Sequence, residues 1–239
     1  AQESRGLGDV YKRQGYKYMK YEFKILYSPI KWISCLILVI LIPLVMYVPT
    51  YFDFVNVSSI YMPFVGIVLF SDINLLYKES HTEEIMYLTN KKPIKFFVER
   101  YLITVALLII FVIVENIIFR IIQQFQGEVS AEPISIINAI AIVIGGCLFV
   151  SAISMTISTI FSNVYIGYGF SGIFWLYWNI NCQTESIINP FPFIANPTFY
   201  EKHLVLIYII TVGLILVNCF LCTRSPFYFG DKIRKCFYR

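Results

Sequence analysis

Residues 101–119 read YLITVALLIIFVIVENIIF, an apolar run interrupted only by Tyr101, Thr104, Glu115 and Asn116. Its length is that of a helix crossing a hydrocarbon layer, which takes about 20 residues at a rise of ~1.5 Å each. Five further runs of the same kind flank it, at residues 32–49, 57–77, 135–161, 164–181 and 204–222. Over the whole chain of 239 residues, 58% are hydrophobic and 14% charged, with a mean hydropathy of +0.69. Soluble domains carry about 25% charge, so this composition excludes a soluble globular enzyme. It equally excludes a disordered chain, which is poor in apolar residues. No series of short alternating segments suggests a β-barrel. The expected fold is an all-α membrane protein with six transmembrane helices occupying residues 30–222.

The basic residues orient these spans. Before the first lie Lys17, Lys20, Lys24 and Lys31; between the second and third lie Lys78, Lys91, Lys92, Lys95 and Arg100; after the sixth lie Arg224, Lys232, Arg234, Lys235 and Arg239. The alternate loops hold Arg120 and Lys202. Lys and Arg concentrate on the cytoplasmic side. Both termini, including a basic tail at residues 223–239, are therefore expected in the cytoplasm. An even number of spans requires the same.

The first residues differ from the rest. Residues 4–14, SRGLGDVYKRQ, resemble the in-frame translation of a transposon-end sequencing adaptor, most specifically in Asp9-Val10-Tyr11-Lys12-Arg13-Gln14. Residues 1–14 are accordingly expected to be a non-native artefact, with Met19 as the natural start or a little sequence missing upstream. Residues 15–29 follow as an interfacial amphipathic helix. At 100° per residue Lys17, Lys20 and Lys24 share an arc of about 60°, with Met19, Phe23 and Leu26 opposite. A positively charged flank that only sets topology is the alternative. Ser28-Pro29 pairs a good N-cap with a good first helical residue, so the first span should start there.

The loop at residues 78–100 is rich in helix signals. Ser80-His81-Thr82-Glu83 matches a capping box, Ile85, Met86 and Leu88 supply an apolar side, and Asn90 with Lys91 and Lys92 suits a helix end. Pro93 then starts a helix carrying Phe96 and Phe97 toward the third span. The segment reads either as a stiff, capped helix that passes force from a partner or as an ordinary interfacial helix.

Ionisable residues within spans are few. Glu115 points to function by default, because charge in the hydrocarbon is costly; interfacial snorkelling or a local pair, with Asn116 and Arg120 nearby, is the plainer reading. Asp72 and Asn74 mark where the second span leaves the hydrocarbon. Cys147, Ser151, Ser154 and Ser158 share one face of the fourth span, a helix-packing stripe of small residues. Gly167, Gly169 and Gly172 do the same in the fifth. Ser162-Asn163 should make a tight hairpin between these spans. Asn189-Pro190-Phe191-Pro192-Phe193 and Asn196-Pro197 are too proline-rich for one helix and too apolar for a solvated loop, and should form short broken helices in the outer leaflet. Cys219-x-x-Cys222 has metal spacing but no second pair, and no metal site is expected. There is no phosphate loop, no His-Glu-x-x-His and no Gly-x-Ser-x-Gly, and no catalytic constellation emerges.

Together these pieces resemble the membrane permease subunit of type-2 ABC exporters. Residues 16–27, 79–93 and 186–199 stand where that family has an interfacial N-terminal helix, a cytoplasmic coupling helix and a broken outer-leaflet hairpin before the last span. The loop runs through Glu79, Glu83 and Glu84, then Met86, Tyr87 and Leu88, then Pro93, Lys95 and Arg100, in the family's order of acidic stretch, helix, proline and basic residues. Lys91 and Lys92 stand beside Pro93 where small residues are commonest. The resemblance implies a permease in the bacterial cytoplasmic membrane that moves a substrate out of the cytoplasm. It implies no catalysis and no cofactor on this chain. ATP and Mg would be held by a separate cytoplasmic ABC ATPase. A second permease chain, identical or paralogous, and the lipid bilayer would be the other partners, with no nucleic acid. ATP-driven closure would push on residues 83–88. The alternatives are an immunity or accessory membrane protein of the same fold and a stand-alone secondary transporter. The last should carry paired intramembrane charges or repeated broken helices, and neither is visible.

Overall fold

In the computed structural model, residues 27–46, 48–75, 93–126 and 134–223 are described, and their regular structure is entirely helical. Helix α1, Pro29–Val45, starts at the anticipated cap: Ser28 is extended and its Oγ accepts from the Lys31 N–H at 3.4 Å. It is 17 residues long and contains Pro43. At ~1.5 Å per residue it reaches about 25 Å, somewhat less than a ~30 Å hydrocarbon core.

Helices α2, Tyr51–Tyr61, and α3, Pro63–Phe70, run on from one another around Met62 and together make an apolar stretch of 20 residues. The stretch begins at Tyr51, earlier than the 57 expected, because Thr50 caps it: its Oγ1 accepts from the Asp53 N–H at 3.1 Å. It ends earlier too, in turns through residues 71–75. Pro63 has no N–H to donate, which breaks the ladder at the junction. The Ile60 carbonyl there accepts from the Trp175 indole N–H at 2.6 Å.

Helix α4, Pro93–Gln126, has 34 residues. Pro93 opens it, and the helix runs unbroken past both ends of the expected 101–119 span. At about 50 Å it is longer than the hydrocarbon is thick. Helix α5, Ile136–Phe161, is capped by Ser135 and ends at Ser162, whose φ of 51° is left-handed. Asn163 then caps α6, Val164–Ile180, accepting from the Tyr165 N–H at 2.8 Å, so the two helices form a tight hairpin. Turns and the four-residue helix α7, Pro192–Ala195, lead to α8, Tyr200–Thr223.

Among the described residues four helical stretches are long and apolar enough to cross a membrane: Tyr51–Phe70, Ile94–Phe125, Ile136–Phe161 and Tyr200–Cys222. Six were expected. The two others, α1 and α6, have 17 residues each, and α6 is diluted by Tyr165, Tyr168, Tyr177, Trp175, Trp178 and Asn179. The segment before α8 is also simpler than the expected short broken helices, because only residues 192–195 complete a helical turn between the prolines. The expected N-terminal artefact and most of the expected interfacial helix, residues 1–26, lie outside the described residues, as does the basic tail beyond residue 223.

Helix α5 is the centre of the bundle, packed by α2, α3, α4, α6 and α8. Its middle is made of small residues, which let backbones approach where apolar burial offers no drive between helices in lipid. Ala139, Gly145, Gly146, Cys147, Ala152 and Ser154 are all buried. Outward faces are apolar instead, as on α8, where Val205, Ile209, Val212, Leu216 and Phe220 are exposed.

Candidate functional site

The polar side chains collect inside the bundle at three levels. At the first, α1 meets the turn that leaves α3. Lys31 Nζ pairs there with Asp72 Oδ2, and the two side chains are 15% and 14% exposed. Tyr27, just before α1, donates its hydroxyl to Thr104 Oγ1 on α4 at 2.7 Å. Burial pushes the Tyr27 phenol from 10.0 up to about 12, with the Thr104 bond pulling less strongly the other way. The phenol therefore keeps its proton, and this bond, through neutral pH. Sequence reading had Lys31 as a topology-setting flank and Asp72 as the end of a span; the structure pairs them.

The second level joins α3, α5, α6 and α8. Ser71 and Ser154 hydroxyls lie 2.5 Å apart, and Ser171 donates to Ser154 at 3.2 Å. One turn further on, Asn74 donates to Thr159 Oγ1 at 2.9 Å and to Asn218 Oδ1 at 3.2 Å, and accepts from the Cys222 thiol at 2.9 Å. Asn218 donates to Thr156 Oγ1 at 2.7 Å and to the Leu214 carbonyl at 2.9 Å. Each Asn218 oxygen and nitrogen is satisfied, as a fully buried amide requires. Sequence reading missed this network. Its signal was present: an asparagine inside the apolar run at residues 204–222 needs partners, and Asn74 is another amide at the end of a span.

The third level holds Glu115. Its carboxyl is fully buried, Oε2 accepts from Ser58 Oγ on α2 at 2.8 Å, and Oε1 has no hydrogen-bond partner among the described residues. Its neighbours Asn116 and Arg120 do not pair with it in the manner anticipated. Asn116 Oδ1 accepts from the Tyr51 hydroxyl at 3.0 Å, and the Arg120 guanidinium lies over the Tyr51 ring, 5.0 Å from its centroid. Tyr51 thus serves both, and Glu115 is held by Ser58.

The four stripe residues of α5 face inward. Cys147, Ser151, Ser154 and Ser158 are at most 1% exposed. A Cβ on Gly66 of α3 would lie 3.0 Å from the Cys147 carbonyl oxygen. One on Gly146 would lie 2.9 Å from the Pro190 carbonyl oxygen, so the segment before α8 rests directly on the α5 backbone. Asn189 shapes that segment. It is buried, donates to the carbonyls of Cys182 and Thr184 at 3.0 and 2.9 Å, and accepts from the Phe191 N–H at 2.9 Å.

Asp72 and Glu115 belong to different levels and share no partner. Glu79, Glu83, Glu84, Met86, Tyr87 and Leu88 lie outside the described residues; Pro93 is the first residue of α4. Among the described residues no three His, Cys, Asp or Glu side chains gather as a metal site. What the polar levels do is hold helices together by hydrogen bonds and one ion pair. Comparison with known proteins adds no relative: no family model, no curated protein and no solved structure matches the chain.

Proposed function

We propose that this chain is the permease subunit of an ATP-driven exporter, working with a separate cytoplasmic ATPase and a second permease chain. On this reading α1 and α6 are the first and fifth of six spans. Both termini and residues 76–92 lie in the cytoplasm, and the segment before α8 dips into the outer leaflet.

The observation that carries the proposal is the position of the charged segment at residues 76–92. It follows one membrane-length stretch, Tyr51–Phe70, and precedes another, Ile94–Phe125. Its capping box and acidic residues suit a short docking helix. Pro93 sets its far end against α4, whose 34 residues run as one helix. A push on residues 83–88 would therefore be delivered into a rod that crosses the whole bundle. The partner's nucleotide state would bias two arrangements of the helices, the requirement for coupling through a bistable element. The exposed apolar faces of α6 and α8 would meet lipid and the second permease chain.

The test is co-purification. Full-length tagged chain, cross-linked in its native membrane and extracted in mild detergent, should bring with it a Mg-dependent ATPase. Glu83→Ala combined with Leu88→Ala should lose that activity while membrane insertion is unchanged. A cross-linked chain that carries no ATP-hydrolysing partner overturns the proposal.

A further inference from the structure

The chain leaves α3 through residues 71–75 and returns at Pro93, and α1 packs against both α3 and α4. Neutral contacts tie the first turn of α1 to α4: the Tyr27–Thr104 hydrogen bond, and Trp32 edge-on to Phe111 with ring centroids 5.6 Å apart. Charge ties it to the exit of α3 through Lys31 and Asp72. The pair is largely withdrawn from water, and the second carboxylate oxygen of Asp72 is buried as well. Removing one partner of such a pair leaves a charge in a poorly solvated place, which is far more disruptive than losing a surface pair. One helical turn beyond Lys31 is Cys35, which is fully buried in the core with Val39, Val65, Leu69 and Phe70.

We propose that the Lys31–Asp72 pair is a latch. Closed, it holds the first turn of α1 against the exit of α3 and seals Cys35 in the core. Open, it frees that turn from the exit of α3 while its contacts with α4 and the rest of the bundle stay packed. Asp72 sits in the turn through which the chain runs toward residue 76, so a pull on the following segment acts on this pair. The latch does not depend on the permease reading: the pair could open under any force on that segment.

Cys35 is a built-in reporter, and Cys147, fully buried in α5, is the control. The full-length chain is reconstituted in vesicles of three parts phosphatidylethanolamine to one part phosphatidylglycerol. It is treated with N-ethylmaleimide, and labelling of each cysteine is followed by peptide mass spectrometry. Labelling of a buried thiol reads the population of the locally open state. Asp72→Asn and Lys31→Met should each raise the Cys35 rate about tenfold, with Cys147 unchanged. The exchanged pair, Lys31→Asp with Asp72→Lys, should return Cys35 to within about twofold of wild type, as expected when two sites act as one unit. Cys35 protected in both single variants overturns the latch. So does parallel exposure of Cys147, which would make the pair a general brace, and so does an exchanged pair that labels as fast as the single variants.

Discussion

A Cβ added to Gly167 would sit inside the contact shell of Ser158 Oγ and 2.8 Å from the Ser154 carbonyl oxygen. Gly169, two residues on, has nothing within 4 Å of the same position. The two glycines look alike in sequence, and their physical roles are opposite. Gly167→Ala should force α6 off α5 and cost about 1–3 kcal/mol, the usual penalty of overpacking. Gly169→Ala meets no neighbour and should be neutral or, by helix propensity, favourable by up to about 1 kcal/mol. Thermal unfolding of the two variants in detergent checks the contrast, and equal destabilisation would contradict the packing. Tyr27 makes a second prediction at this scale. Its phenol is raised from 10.0 to about 12 in the folded chain. A raised value means the folded state holds the proton more tightly than the unfolded one. The contribution is therefore complete below about pH 10 and is lost as pH rises through 12. In the phenolate absorbance titration, the difference between wild type and Tyr27→Phe should show one tyrosine ionising about two units late.

At the scale of elements, the ends of helices were largely legible and their interiors only in part. Ser28-Pro29 and Ser162-Asn163 are local signals: a cap or a left-handed residue acts within three or four positions, so sequence alone reports it. The early start of α2 was missed because Asp53 and Asn56 interrupt the apolar run, whereas Tyr51, Phe54 and Val55 on the other face are buried. The stripe on α5 was legible from its spacing, but what it touches was not. That Ser154 meets Ser71 and Ser171 depends on residues 83 and 17 positions away. The Asn74–Asn218 network is hidden for the same reason, since its ends are 144 residues apart. Such interhelical bonds average about 0.6 kcal/mol each in membrane bundles, with a maximum of ~1.7. Asn218→Leu removes several at once and takes one partner each from Thr156 and Asn74, so it should cost about 2 kcal/mol. Asn74→Ala combined with Asn218→Leu should cost clearly less than the sum of the two, because each single change already breaks their shared bond. A double-mutant cycle on detergent unfolding reads this directly, and strict additivity would mean the two amides do not act together.

For the whole molecule, the polar groups of the helices are buried within an apolar core, and the outward faces are apolar as well. Glu115, Asn116, Asn218, Ser154 and Thr104 are buried, whereas Ile33, Ile37, Leu102, Ile117, Ile173, Val205, Ile209 and Val212 are exposed. In water these apolar faces would aggregate; in lipid they lie against hydrocarbon, and the helices satisfy their backbone groups internally. This arrangement separates two kinds of substitution at equal depth. Ile209→Lys places an ammonium on the lipid-facing side of α8, where a centred charge costs roughly 2.5–3.5 kcal/mol of insertion free energy. Ile209→Ala removes only apolar area that lipid would have covered and should insert normally. In a glycosylation or protease-protection assay on α8 carried by its own chain, the lysine variant should lose a large fraction of correctly inserted molecules. The alanine variant should match wild type. Equal insertion of both would mean that Ile209 faces protein or water in the membrane, and that α8 is covered by another helix at that level.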